Sequence, residues 1–242
     1  MKHLPRGTIV GTKREDAVCE AVRLTYRGYG VSLAYIGEEA KGLREYVETK
    51  KELRRLIDML GIAGRSATLL LELSRIGMGV DDELAFRQLV DLIREAALYG
   101  ITIMINAEGA ELADSLLDAY KRAARLYPSV GITLRADFRR SEADLAEIIP
   151  FSGRIRLVEG DRKDSAAYHR LARKAIASGR LVSLVAHNEA VYRDDRILGL
   201  QSALNAEIEL PREMCPDLLD EAKNAGYRLR IQVAYGLPGL NR

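Results

Sequence analysis

"DDELAFRQLVDLIREAALYG" (Asp81–Gly100) runs straight into "ITIMINA" (Ile101–Ala107), and the change of texture between the two decides the fold. In the first segment Leu84, Leu89, Leu92, Ile93 and Ala96, the last four at three- and four-residue spacing, would form one face of a helix. Asp81 and Asp82 stand where an N-cap and a first turn favour acids, and Gly100 stands where a helix end favours glycine. The second segment is a short run of β-branched and apolar residues, the pattern of a strand buried on both faces. One helix followed by one buried strand is half of a repeating unit.

The same unit recurs along the whole chain. Strand-like runs are "YGVSLAYI" from Tyr29, "ATLLLELS" from Ala67, "ITIMINA", "VGITLRA" from Val130, "IRLVEG" from Ile155, "LVSLVAH" from Leu181, "NAEIEL" from Asn205 and "RLRIQVAYG" from Arg228. Their starts, at 29, 67, 101, 130, 155, 181, 205 and 228, lie 23 to 38 residues apart, the step of a strand with its crossover helix. Eight such units predict an α/β chain closed into a (β/α)₈ barrel of the TIM type. "REDAVCEAVRLTYRG" reads as an extra helix ahead of the first strand, and after Gly236 only "LPGLNR" remains, so no eighth helix is expected. This gives a helical segment over 1–28 and a barrel over 29–242, within one domain. The groove between first and last strands needs a cover, either the N-terminal helix or a partner such as a second copy of the chain.

Composition removes several function classes. Thirty-seven basic and 35 acidic residues are interspersed for a net charge of +2, without the one-signed field that nucleic-acid binding uses. No apolar run approaches the length of a membrane span or a signal-peptide core, and two distant cysteines, Cys19 and Cys215, make neither a disulfide framework nor a thiolate metal motif. A cytoplasmic protein acting on a small molecule is the expectation. No glycine run has the spacing of a phosphate-cradling loop.

In a (β/α)₈ barrel the chemistry sits at the C-terminal ends of the strands. The polar residues there are Glu72, Asn106 and Glu108, Arg135 and Asp137, Arg156 with Glu159, His187 and Asn188, Glu209, and Gln232. A carboxylate such as Glu72 or Glu209 inside an apolar strand is costly unless paired, hydrogen-bonded or on a metal. One reading is a network of Glu72, Glu108 and Glu159 with Arg135 and Arg156. Another is a magnesium or manganese site built from Glu72, Glu108, Asp137, His187 and Glu209, suited to isomerase or lyase chemistry, and a third is a barrel without catalysis.

The order of the motifs resembles a known family. "GVSLAYIGEEA", "INAEG", "GITLRADFRRSEADL", "RIRLVEGDRK", "VAHNEA" and "IELPREMCPDLLDEAKNAGYRLRIQVAYG", from Tyr29 to Gly236, look like the proline dehydrogenase family of FAD-dependent (β/α)₈ barrels. The resemblance implies an FAD site across the strand ends and oxidation of a C–N bond. It assigns Arg156 to the neighbourhood of the flavin's reactive nitrogen and His187, with Asn188, to a flavin contact. The family's fourth-strand glutamine is Arg135 here and its fifth-strand lysine is Glu159. At the substrate contacts a second-strand lysine is Glu72, a third-strand aspartate is Asn106 and an eighth-strand tyrosine is Gln232. The helix whose paired arginines clamp the substrate carboxylate has no counterpart in the "LPGLNR" tail. Lysine to Glu72 moves the local charge two units toward negative and would repel a carboxylate, so an amine or amino-acid-like compound other than L-proline is the expected substrate.

Overall fold

The computed structural model describes residues 8–37, 40–160, 165–185, 203–213 and 216–236. Helix α1 (Arg14–Tyr26) precedes β1 (Gly30–Ile36), and the chain then alternates α2 (Leu43–Ile62), β2 (Thr68–Leu71), α3 (Asp82–Ala97), β3 (Thr102–Ile105), α4 (Ala113–Leu126), β4 (Gly131–Arg135), α5 (Ser141–Ile148), β5 (Ile155–Val158), α6 (Ser165–Ala177) and β6 (Val182–Val185). β7 (Ala206–Pro211), α7 (Pro216–Asn224) and β8 (Leu229–Gly236) complete it. All eight strands are parallel and each pairs with its neighbours, β8 returning to β1, so the sheet is a closed barrel. His187 and Asn188 lie outside the described residues, as do Asp161–Asp164.

The local chemistry explains the elements. At α3 the Asp81 carboxylate accepts from the Leu84 N–H at 2.9 Å, satisfying one orphan donor of the first turn, and Gly100 adopts φ 66° while the Ile101 N–H returns to the Ala96 carbonyl. Leu89, Leu92, Ile93 and Ala96 are buried against the sheet, with Leu84 half-buried at the helix start. The strand residues that face outward, such as Val31, Leu33, Leu69, Ile103, Leu134, Leu157 and Ile231, join the helices in one continuous apolar layer. Those that face inward alternate with them, as the period of two requires.

α1 covers the seam between β1 and β8. Its buried residues Ala17, Val18, Ala21 and Leu24 belong to that same apolar layer, and the helix packs on both strands. Two ion pairs fix it, one at its first residue and one at its middle. Arg14 grips Glu52 of α2, which also accepts from Tyr235 at the end of β8. Glu20 accepts from Arg212 after β7 at 2.8 Å. The groove that the sequence leaves uncovered is therefore filled from within the chain.

Candidate active site at the barrel mouth

The pairing register sorts the inward side chains into levels, each built from alternate strands. Toward the N-terminal end, Glu207 of β7 sits between Arg154 and Arg230, accepts from Ser183 at 2.6 Å, and is 7% exposed as a side chain. Burial pushes the Glu207 carboxyl up, but the charges of Arg230 and Arg154 and the bonds from Arg230 and Ser183 outweigh it and hold the carboxyl below its usual range. Arg230 also donates to the Val31 carbonyl and to Thr68. This level is a packed polar plug, not a channel.

The next level joins Arg156 of β5 to Glu209 of β7, with Ser32 and Met104 at the same height. Arg156 Nε and Nη2 both lie 3.0 Å from Glu209 Oε1, and the two side chains are only 7% and 1% exposed. Glu209 Oε2 and Ser32 Oγ are buried and have no partner among the described residues. Above them are the buried amides Gln232 and Asn106, the latter accepting a long bond from Thr133 at 3.4 Å.

The rim carries the remaining charges. Arg135 makes a two-pronged bond to Asp137, at 3.0 and 2.8 Å, in the turn after β4. A Cβ at Gly160, which has φ 89°, would collide with that same Asp137 carboxylate. Glu72 accepts from Arg75 at 2.9 Å across one turn of the short helix after β2. The Ser74 N–H donates to Glu108 at 3.2 Å. Burial pushes the Glu108 carboxyl up, helped by the neighbouring Glu72 charge, and the donors of Ser74 and Leu73 offset only part of it. Glu159 is half-buried at the end of β5.

The structure thus brings Glu72, Asn106, Arg135, Arg156, Glu159, Glu209 and Gln232 to one end or to the interior of one barrel. Among the described residues the ion pairs do not join Glu72, Glu108 and Glu159 with Arg135 and Arg156: Glu72 takes Arg75, Arg135 takes Asp137 and Arg156 takes Glu209. The magnesium or manganese reading also names His187, which lies outside the described residues. Glu72, Glu108, Asp137 and Glu209 each go to a different donor, and among the described residues no three His, Cys, Asp or Glu side chains come together as a metal site requires. The Arg154–Glu207–Arg230 cluster escaped the sequence reading, although the alternation in "RIRLV", "AEIEL" and "RLRIQV" places those charges on the face of Arg156, Glu209 and Gln232.

The model of the proline dehydrogenase family matches residues 17–162, from the second turn of α1 to just beyond β5. The chain belongs to the proline dehydrogenase family. Proline dehydrogenase 1 of Bacillus subtilis is 25% identical over 96% of this chain and 82% of its own length, and proline dehydrogenase 2 of the same organism is 20% identical over 95% and 81%. Among solved structures, proline utilization A of Bdellovibrio bacteriovorus, inactivated by N-propargylglycine, superposes with a TM-score of 0.81 at 13% identity, and that of Bradyrhizobium japonicum with 0.78 at 17%. Both alignments cover 94% of this chain, which spans only 30% and 28% of those much longer proteins. The family is one of FAD-dependent oxidoreductases. Among the described residues no helix is long and apolar enough to cross a membrane.

Proposed function

We propose that this proline dehydrogenase family member is an FAD-dependent oxidoreductase that oxidises the C–N bond of an amine carrying no carboxylate to be clamped. The observation that carries the reading is the charge arrangement at the mouth. Arg75, Arg135 and Arg156 are each tied to a carboxylate of this chain, and Glu108 and Glu159 add further acid beside them. An amino-acid carboxylate entering there would compete with ion pairs already formed, in a field tilted toward negative. A protonated amine is the better electrostatic match.

The residues fit a flavin at its ring end. Arg156 keeps Nη1 without a partner among the described residues after spending Nε and Nη2 on Glu209, so one edge of a buried, oriented cation remains for an anionic ring. Arg135 supplies a second cation on the adjacent strand, while Glu159, in place of the family's lysine, subtracts from it. FAD, when bound, supplies acceptance of a hydride equivalent from the carbon next to nitrogen. Arg156 would stabilise the negative charge that reduction places nearby, and Glu209 would hold Arg156 in position. Glu72, Asn106 and Gln232 would line the substrate half, where Glu72 attracts an ammonium and the two amides offer neutral hydrogen bonds. His187 and Asn188 are proposed flavin contacts on the family match alone. A reducing, cytoplasmic setting suits the exposed thiol of Cys19.

Titration of the purified chain with FAD tests this. Saturable quenching of flavin fluorescence with one flavin per chain, weakened at least tenfold in Arg156→Met, is the expected result. A folded chain that takes up no FAD would overturn it.

A further inference from the structure

The strand β7 leaves the sheet early. Its last pairing is Pro211 with Gln232, whereas β8 continues to Gly236, so the upper edge of β8 on that side is open for another strand. Residues ahead of α1 take it. Ile9 forms a parallel bridge with Ala234, the Val10 N–H donates to the Ala234 carbonyl at 2.9 Å, and the Gly236 N–H donates to the Gly11 carbonyl at 3.1 Å. This is strand addition to a free edge, performed by the chain on itself.

The side chain it delivers matters most. Ile9 packs on Ala34, Ile36, Leu70, Met104 and Ala234, which are the inward residues of β1, β2, β3 and β8. Those strands also carry Glu72, Asn106 and Gln232, so Ile9 occupies the half of the mouth proposed for substrate, opposite the half with Arg135, Arg156 and Glu159. Thr8, fully buried beside it, has a hydroxyl without a partner among the described residues. The hold is modest: a bridge of a few backbone bonds and one half-buried isoleucine, anchored below by Arg14 on Glu52.

We propose that Thr8–Gly11 form a strap that closes the substrate half of the mouth, with Ile9 as its plug, and that an amine enters only when the strap leaves the β8 edge. The inference rests on the mouth being the substrate site. While the strap is seated it lowers apparent affinity by the fraction of molecules in the open state. Two substitutions in the full chain release it by different means. Ile9→Asp puts a charge among apolar side chains, and Val10→Pro removes the N–H that Ala234 accepts, without touching the apolar contact.

The reporter is Ala34→Cys in a Cys19→Ser background, alkylated with iodoacetamide and corrected for Cys215 with the same chain lacking Ala34→Cys. Ala34 is 1% exposed within the apolar cluster that Ile9 packs against, so slow labelling is expected with the strap intact, and at least about tenfold faster labelling in either release variant with unchanged circular dichroism. Pyrrolidine, a cyclic amine without a carboxylate, should then perturb the flavin spectrum of the FAD-loaded release variants at about tenfold lower concentration. Protection of Ala34→Cys undiminished in both folded variants would overturn the strap. Faster labelling with unchanged pyrrolidine affinity would overturn its gating role. Labelling needs no flavin, so failure to load FAD would count against the proposed function and leave the strap to be decided by the thiol.

Discussion

Glu209→Ala is the sharpest probe of how the barrel interior is held. The substitution leaves the Arg156 guanidinium 7% exposed and deprived of the carboxylate that both Nε and Nη2 contact at 3.0 Å. Breaking one partner out of a buried pair costs about 3–5 kcal/mol, since the surviving charge stays desolvated and uncompensated. For a chain of 242 residues each kcal/mol corresponds to roughly 2–4 °C in the melting midpoint, so a drop on the order of 6–20 °C is expected. Glu209→Gln keeps an acceptor and should cost less, about 1–3 kcal/mol. The double change Arg156→Met with Glu209→Leu removes both charges and should return to within about 1 kcal/mol of the parent. Urea denaturation of the parent, Arg156→Met, Glu209→Leu and the double variant closes a double-mutant cycle. A loss under about 1 kcal/mol for Glu209→Ala, or a double variant as unstable as the sum of the singles, would show that the pair is not what holds this level.

Other consequences follow from neighbouring residues. Glu207 titrates below the ordinary carboxylate range in the folded state, so its contribution is present above the unfolded value near pH 4.3 and is lost as pH falls through the folded one. The urea midpoint should drop on acidification, and Glu207→Gln should cost more at pH 7 than at pH 3. Glu108 is shifted the other way, so the folded state prefers its neutral form and stability declines as pH rises from the unfolded toward the folded value. Glu108→Gln, which still accepts from Ser74, should leave the pH 7 urea midpoint unchanged or raised and flatten that decline. Leu24→Ala on α1 should cost about 2–5 kcal/mol by thermal or urea unfolding if that helix is part of the barrel wall, and almost nothing if it is an appendage.

The barrel was legible because two signals agree at every unit: inward-outward alternation in the strands and apolar three-four spacing in helices such as α3. Asp81 and Gly100 mark the ends of that helix so plainly that the capping bond and the positive φ only confirm the residue types. The site was legible as a set of strand-end polar residues but not as partnerships. Which acid meets which arginine depends on the stagger of the strands around the barrel, and stagger is fixed by pairings between residues far apart in sequence. Arg156 thus meets Glu209, 53 positions away, and not Glu159, three positions along. The strap was hidden for a related reason. "TIVG" at 8–11 is too short and too close to the start of α1 to read as a strand, and its partner is the far end of β8.

Anaerobic reduction of the FAD-loaded chain, followed at the flavin absorbance in separate mixings with L-proline and with pyrrolidine, tests the central claim most directly. The charge arrangement around Glu72, Arg75, Arg135 and Arg156 predicts that pyrrolidine bleaches the flavin faster than L-proline at equal concentration. Faster bleaching by L-proline would contradict it, and would mean that a carboxylate is accepted in a mouth whose arginines are already paired.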